Sequence, residues 1–85
     1  EVEVENFDEL QQAIDAGADR VLLDNFDTDM MKRAVDICKG KIITEASGNI
    51  TLDNIHDVAM TGVDYISTGS LTKDVKAVDL SMRFD

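Results

Sequence analysis

Proline is absent from this chain of 85 residues, cysteine and histidine occur once each, and cationic residues are scarce. Each shortage closes off a class of explanation. Without proline or a low-complexity stretch there is no sign of a linker, so residues 1–85 read as one domain with no internal boundary. A single thiol, Cys38, excludes an internal disulfide and a thiolate metal cage. Its place on the apolar side of a predicted helix marks it as a buried, inert side chain. There are 8 Lys and Arg against 18 Asp and Glu, a formal charge of −10, and no run of Lys or Arg. Nucleic acid and anionic membrane are therefore not expected as partners, because phosphate binding needs clustered cations. No signal-peptide pattern, lipidation motif or apolar run of bilayer length is visible, and a cytoplasmic location is the expectation.

What is present is a recurrence. Four short apolar segments, EVEVEN (1–6), VLLDNF (21–26), IITEASG (42–48) and YISTGS (65–70), each end in a polar or glycine cluster. A helical pattern separates each neighbouring pair, so the order reads β-α-β-α-β-α-β. Parallel strands place their C-terminal ends on one side, where α/β proteins assemble sites. From the short length and the strand pattern already under way at Glu1, the expectation is a piece of a larger α/β barrel or sheet, or a designed fragment of one.

The first strand alternates, with Val2 and Val4 on one face and Glu1, Glu3 and Glu5 on the other. Asp8 is expected to cap a helix carrying Leu10, Ala13 and Ile14, stopped by Gly17. Val21-Leu22-Leu23 is a continuous apolar run, as in a strand buried on both faces. The second helix is expected over about Thr28–Lys39, on a stripe of Met31, Ala34, Val35 and Cys38. The third strand is placed at Lys41–Glu45, and Thr51 is expected to cap a third helix with Leu52, Ile55, Val58 and Ala59 inside. The fourth strand is placed at Asp64–Thr68. The tail from Val75 to Asp85 reads as a short helical turn followed by a strand-like end at Asp79–Arg83. AGAD before one strand and TGVD before another form a weak internal repeat.

Several residues could carry chemistry. Glu3 and Asp24 stand near the ends of consecutive strands. They can accept hydrogen bonds from sugar hydroxyls, hold Mg²⁺ on a phosphorylated sugar, or stabilise positive charge on a sugar ring. Alternatively, Glu3 is one of three solvated glutamates on an exposed strand face. Ser47-Gly48-Asn49, opening onto a helix near Thr51, and Gly69-Ser70 after the last strand suit a phosphate, or are simply turns. Glu45 binds a hydroxyl, orients Lys73 or is solvated. His56 falls on the outer face of its helix, and Met30-Met31 reads as helix packing.

EVEVEN, LLDNF, EASGN, TGVDYISTGSLT and the closing AVDLSMRF, in this order, resemble the C-terminal part of the quinolinate phosphoribosyltransferase family. The resemblance spans essentially the whole chain. It implies a fold of class α/β, a partial (β/α) barrel of parallel β/α units from the phosphoribosyltransferase barrel. It implies transfer from phosphoribosyl pyrophosphate, with Mg²⁺, to quinolinate, giving nicotinate mononucleotide, pyrophosphate and CO₂ for NAD synthesis. By that resemblance Glu3 and Asp24 are the catalytic, ribose-facing carboxylates, and Ser47, Gly48 and Gly69 cradle the 5′-phosphate. Lys73 stands where relatives often carry histidine, and Asn49 replaces a common second glycine. The family binds quinolinate with Arg, His and Lys from segments upstream of Glu1 and partly from a neighbouring subunit, so a homodimer or higher homo-oligomer is implied. The isolated 85 residues are then expected to be inactive. The rival expectation is a non-enzymatic barrel fragment that self-associates through open sheet edges.

Overall fold

A computed structural model of the chain describes residues 1–48, 50–51, 53–67 and 74–77. Its elements run β1 (Val2–Val4), α1 (Phe7–Asp15), β2 (Arg20–Asp24), α2 (Thr28–Cys38), β3 (Ile43–Ser47), α3 (Ile55–Ala59), β4 (Tyr65–Ser67) and β5 (Asp74–Lys76). The expected β-α-β-α-β-α-β order is present, with β5 added.

Among the described residues the sheet has the order β1-β2-β3-β4-β5. The first four strands are parallel, and β5 runs antiparallel to β4. Parallel strands joined to their immediate neighbour by crossovers of one hand put every connecting helix on the same side of the sheet. That is the winding of a barrel, whereas a doubly wound sheet reverses its strand order and covers both faces. One core cluster confirms it. Val4, Val21, Leu23, Ala46 and Ile66 from the strands pack with Leu10, Ala13, Met31, Ala34, Cys38, Ile55 and Val58 from the helices. The chain is thus a partial (β/α) barrel. Among the described residues its other face has no helical cover, and Leu22 there is only half-buried and Ile43 42% exposed. The double burial expected for Val21-Leu22-Leu23 therefore holds for Val21 and Leu23 alone.

Local departures from expectation have local causes. Asn6, not Asp8, caps α1: its side chain accepts from Glu9 N–H at 2.8 Å while Glu9 Oε1 accepts from Glu5 N–H at 2.7 Å. This is a variant of the capping box in which the return bond goes to the residue before the cap. The third strand starts two residues late because Lys41 and Ile42 N–H both donate to Cys38 C=O, at 2.9 and 3.0 Å, and are still part of the turn leaving α2. The repeat before β2 and β4 has a structural role: Asp64 Oδ2 accepts from Thr44 N–H at 2.9 Å, tying the α3–β4 turn to β3. The tail opens on β5 rather than on the helical turn expected from Val75, with Lys76 paired to Tyr65 and Asp74 to Ser67, and the helical residue Ala77 follows it. The strand-like end at Asp79–Arg83 lies outside the described residues. Among the described residues no helix is long and apolar enough to cross a membrane.

Candidate functional site

The face without helices among the described residues carries Glu3 on β1 with Glu1 just before it, Arg20, Leu22 and Asp24 on β2, Glu45 and Ser47 on β3, and Tyr65 on β4. Register sets this: Glu3 lies beside Leu22, Leu22 beside Glu45, Glu45 beside Tyr65, and Asp24 beside Ser47. At the C-terminal ends of the strands Glu3 and Asp24 meet as expected. Carboxylate oxygens of Glu3, Glu5 and Asp24 all lie within 4.8 Å of one another. Glu3 and Glu5 are exposed and Asp24 is half-buried.

Like charges this close raise the Glu3 pKa above its ordinary value. The hydrogen bond with Asp24 is the largest cause, followed by the Asp24 charge, with smaller contributions from desolvation and then from Glu5 and Glu9. The cluster therefore carries negative potential at the mouth of the strands. Oxygen donors at this spacing fit a divalent cation such as Mg²⁺, and equally the hydroxyls of a sugar.

Beside the carboxylates lies the turn after β3. Ser47 is half-buried, and Gly48 takes φ +81°, a left-handed value that favours glycine. Space also demands glycine there. An added β-carbon would lie 2.5 Å from Asn25 Oδ1 and 2.8 Å from Asp24 Oδ1. The Asp24 carboxylate and the Gly48 backbone thus share one corner of the mouth. Gly69, Asn49 and Lys73 lie outside the described residues.

The expected helix start near Thr51 is corrected. Regular α3 begins at Ile55, and Asn54 Oδ1 accepts from Thr51 N–H at 2.8 Å. Thr51 N–H is therefore engaged within the chain, and a phosphate here would rest on the Ser47-Gly48 turn itself rather than on a helix terminus. The start of α2 is likewise satisfied internally, since Asp27 Oδ1 accepts from Met30 N–H at 2.8 Å.

Glu45 is not solvated. It is 3% exposed and bonded to Arg20, which also holds Glu1 at 3.0 Å and stacks 4.7 Å above the Tyr65 ring centroid. His56 is half-buried rather than fully solvated, and Met31 is buried with Met30 packed against the core, as expected. Sequence reasoning passed over Glu5 and Asn25 as members of the site. Glu5 was visible in the alternation that groups it with Glu3. Asn25 gave a weaker signal, as a turn former directly after a strand-ending carboxylate.

Comparison with known proteins places this geometry. The profile of the family described as quinolinate phosphoribosyl transferase, C-terminal domain, matches residues 1–83. A nicotinate-nucleotide pyrophosphorylase structure from Francisella tularensis aligns with TM-score 0.77 at 53% identity, covering 87% of this chain and 27% of that one. A probable nicotinate-nucleotide pyrophosphorylase (carboxylating) of Bacillus subtilis (strain 168) is 45% identical over 96% of this chain and 28% of its own length. A mitochondrial quinolinate phosphoribosyltransferase (decarboxylating) of Nicotiana tabacum is 39% identical over 100% of this chain and 28% of its own. The chain spans less than a third of the length of these curated relatives.

Proposed function

The chain belongs to the family of quinolinate phosphoribosyltransferase C-terminal domains, and on that footing we propose that it supplies the ribose-phosphate side of a phosphoribosyl transfer. The reaction moves the phosphoribosyl group from phosphoribosyl pyrophosphate to quinolinate, giving nicotinate mononucleotide, pyrophosphate and CO₂ in NAD synthesis. The observation that carries this reading is the convergence of the Glu3 and Asp24 carboxylates beside Gly48 at the mouth of the strands.

Breaking the ribose C1–O bond to pyrophosphate leaves positive charge on the sugar ring before the C1–N bond forms. The Glu3 and Asp24 carboxylates lower the energy of that charge and accept hydrogen bonds from the ribose hydroxyls. The Ser47 hydroxyl and Gly48 backbone, with Gly69 from the next unit, hold the 5′-phosphate. Glu3 and Asp24, with Glu5 beside them, are the residues that would hold Mg²⁺, which supplies charge neutralisation for the departing pyrophosphate. Arg20 is engaged with Glu1 and Glu45, and by the family resemblance the cations that quinolinate needs come from segments upstream of Glu1 and from a neighbouring subunit. A homodimer or larger homo-oligomer in the cytoplasm is the setting this reading supplies. The isolated 85-residue chain is then without transferase activity, and nicotinate mononucleotide formed by it alone would overturn that.

Calorimetric titration of phosphoribosyl pyrophosphate with Mg²⁺ into the protein at its full natural length tests the site. Replacing Asp24 by Ala removes charge-assisted hydrogen bonds worth about 1.5–3 kcal/mol and weakens binding about 10- to 100-fold. Unchanged affinity removes Asp24 from the site. A second reading, self-association of a non-enzymatic fragment, draws on β1, which pairs with β2 alone among the described strands and leaves Val2 41% exposed. Light scattering that shows a monomer of the 85 residues excludes it.

A further inference from the structure

We propose that Asn25 is a positioning residue that fixes the Ser47-Gly48 turn at a set separation from the Asp24 carboxylate, an inference that rests on the functional reading above. The backbone of Asn25 is left-handed, at φ 60°, the one non-glycine positive φ among the described residues. Asparagine tolerates that region better than most residues, at some cost. The Asn25 N–H donates to Ser47 C=O at 3.0 Å, the bond that closes the β2–β3 ladder at its last paired residues, Asp24 and Ser47. Its side chain points the same way, since Asn25 Oδ1 sits 2.5 Å from where a Gly48 β-carbon would be. The turn is also pinned from the core side. Phe26 is 4% exposed and packs edge-on against Phe7, with ring centroids 5.5 Å apart.

Asn25 itself is exposed, so core packing does not explain its conformation. An uncommon backbone state held at the junction of the carboxylate and the glycine turn is how a fold stores geometry for a ligand. With Asn25 in place, the groups that receive the ribose hydroxyls and the phosphate move as one unit.

Steady-state kinetics at full natural length test this with two variants. Asn25→Gly keeps the left-handed backbone and its N–H bond but removes the carboxamide. KM for phosphoribosyl pyrophosphate rises about tenfold, while KM for quinolinate stays within about twofold of the parent value. Asn25→Asp keeps the shape and the turn preference and adds a negative charge facing the same anion. Its KM for phosphoribosyl pyrophosphate also rises, and the rise shrinks with added salt. A merely structural role would instead lower kcat through loss of folded enzyme and leave both KM values in place, which would overturn the inference. Should both variants keep KM for phosphoribosyl pyrophosphate within about twofold while Asp24→Ala raises it, Asn25 is no positioning residue and the functional reading stands. Should Asp24→Ala leave it unmoved as well, the functional reading falls and this inference goes with it.

Discussion

Glu3 and Glu45 are both glutamates on the helix-free face of one sheet, and their surroundings are opposite. Glu45 is 3% exposed, with the Arg20 guanidinium against it, and that cation also stacks over the Tyr65 ring. Glu3 is exposed and has carboxylates for company, Asp24 and Glu5. Deep in the face, burial forces the charge to find a partner of opposite sign, because an unpaired buried charge costs several kcal/mol. At the mouth, water tolerates a cluster of one sign, and the fold keeps it. The same residue type is thus structural in one layer and available to a ligand in the next.

Breaking the deep pair has the largest expected effect. Arg20→Ala leaves Glu45 without its guanidinium. Removing one partner of a buried pair costs about 3–5 kcal/mol, and the lower end applies because the Arg20 side chain is 25% exposed. Urea denaturation at neutral pH reads the loss directly. A change below about 1 kcal/mol would show that the pair is no more than a surface bridge. Replacing Arg20 and Glu45 together by Met sharpens the contrast, since it removes the buried charge along with its partner and recovers much of the loss.

A smaller loss follows at the mouth from Gly48→Ala. The left-handed backbone at φ +81° costs a residue with a β-carbon about 1–2 kcal/mol. The new methyl also meets Asn25 Oδ1 and Asp24 Oδ1, both closer than 3.0 Å, so both contacts must be relieved by a shift. Stability should fall by about that amount, and affinity for phosphoribosyl pyrophosphate should fall with it. Stability lost with affinity intact would separate the glycine from the site.

The two layers differ in how far the sequence foretells them. Glu3 and Asp24 could be brought together from local pattern, because Glu3 stands near the end of one strand, Asp24 closes the apolar run of the next, and parallel neighbours end on one side. Glu45 could not be assigned, because its partner Arg20 lies 25 positions away and the pairing depends on a register that periodicity does not supply. The alternation that groups Glu45 with Ser47 was correct about the face and silent about the depth. Helix ends were misjudged where two capping candidates competed, as at Asn6 against Asp8. Strand β5 escaped because three residues, Asp74–Lys76, are too few to show a period of two.

The smallest expected effect belongs to Glu3→Gln, and its sign distinguishes the layers most cleanly. The native pKa of Glu3 is raised chiefly by Asp24, so the folded chain binds that proton more tightly than the unfolded chain does. Its contribution to stability is therefore complete below the unfolded glutamate value of about 4.3 and is lost as pH rises through the elevated native value. Glutamine stays neutral throughout, so the variant matches the parent in acid and is slightly more stable at neutral pH, the reverse of Arg20→Ala. Mg²⁺ should narrow the gap by stabilising the parent more than the variant, since fewer carboxylates remain to hold it. Thermal midpoints with and without Mg²⁺, on both sides of the glutamate range, give the comparison. A variant less stable than the parent at neutral pH would mean that Glu3 makes an attractive contact, and the mouth would then be built on the same terms as the layer beneath it.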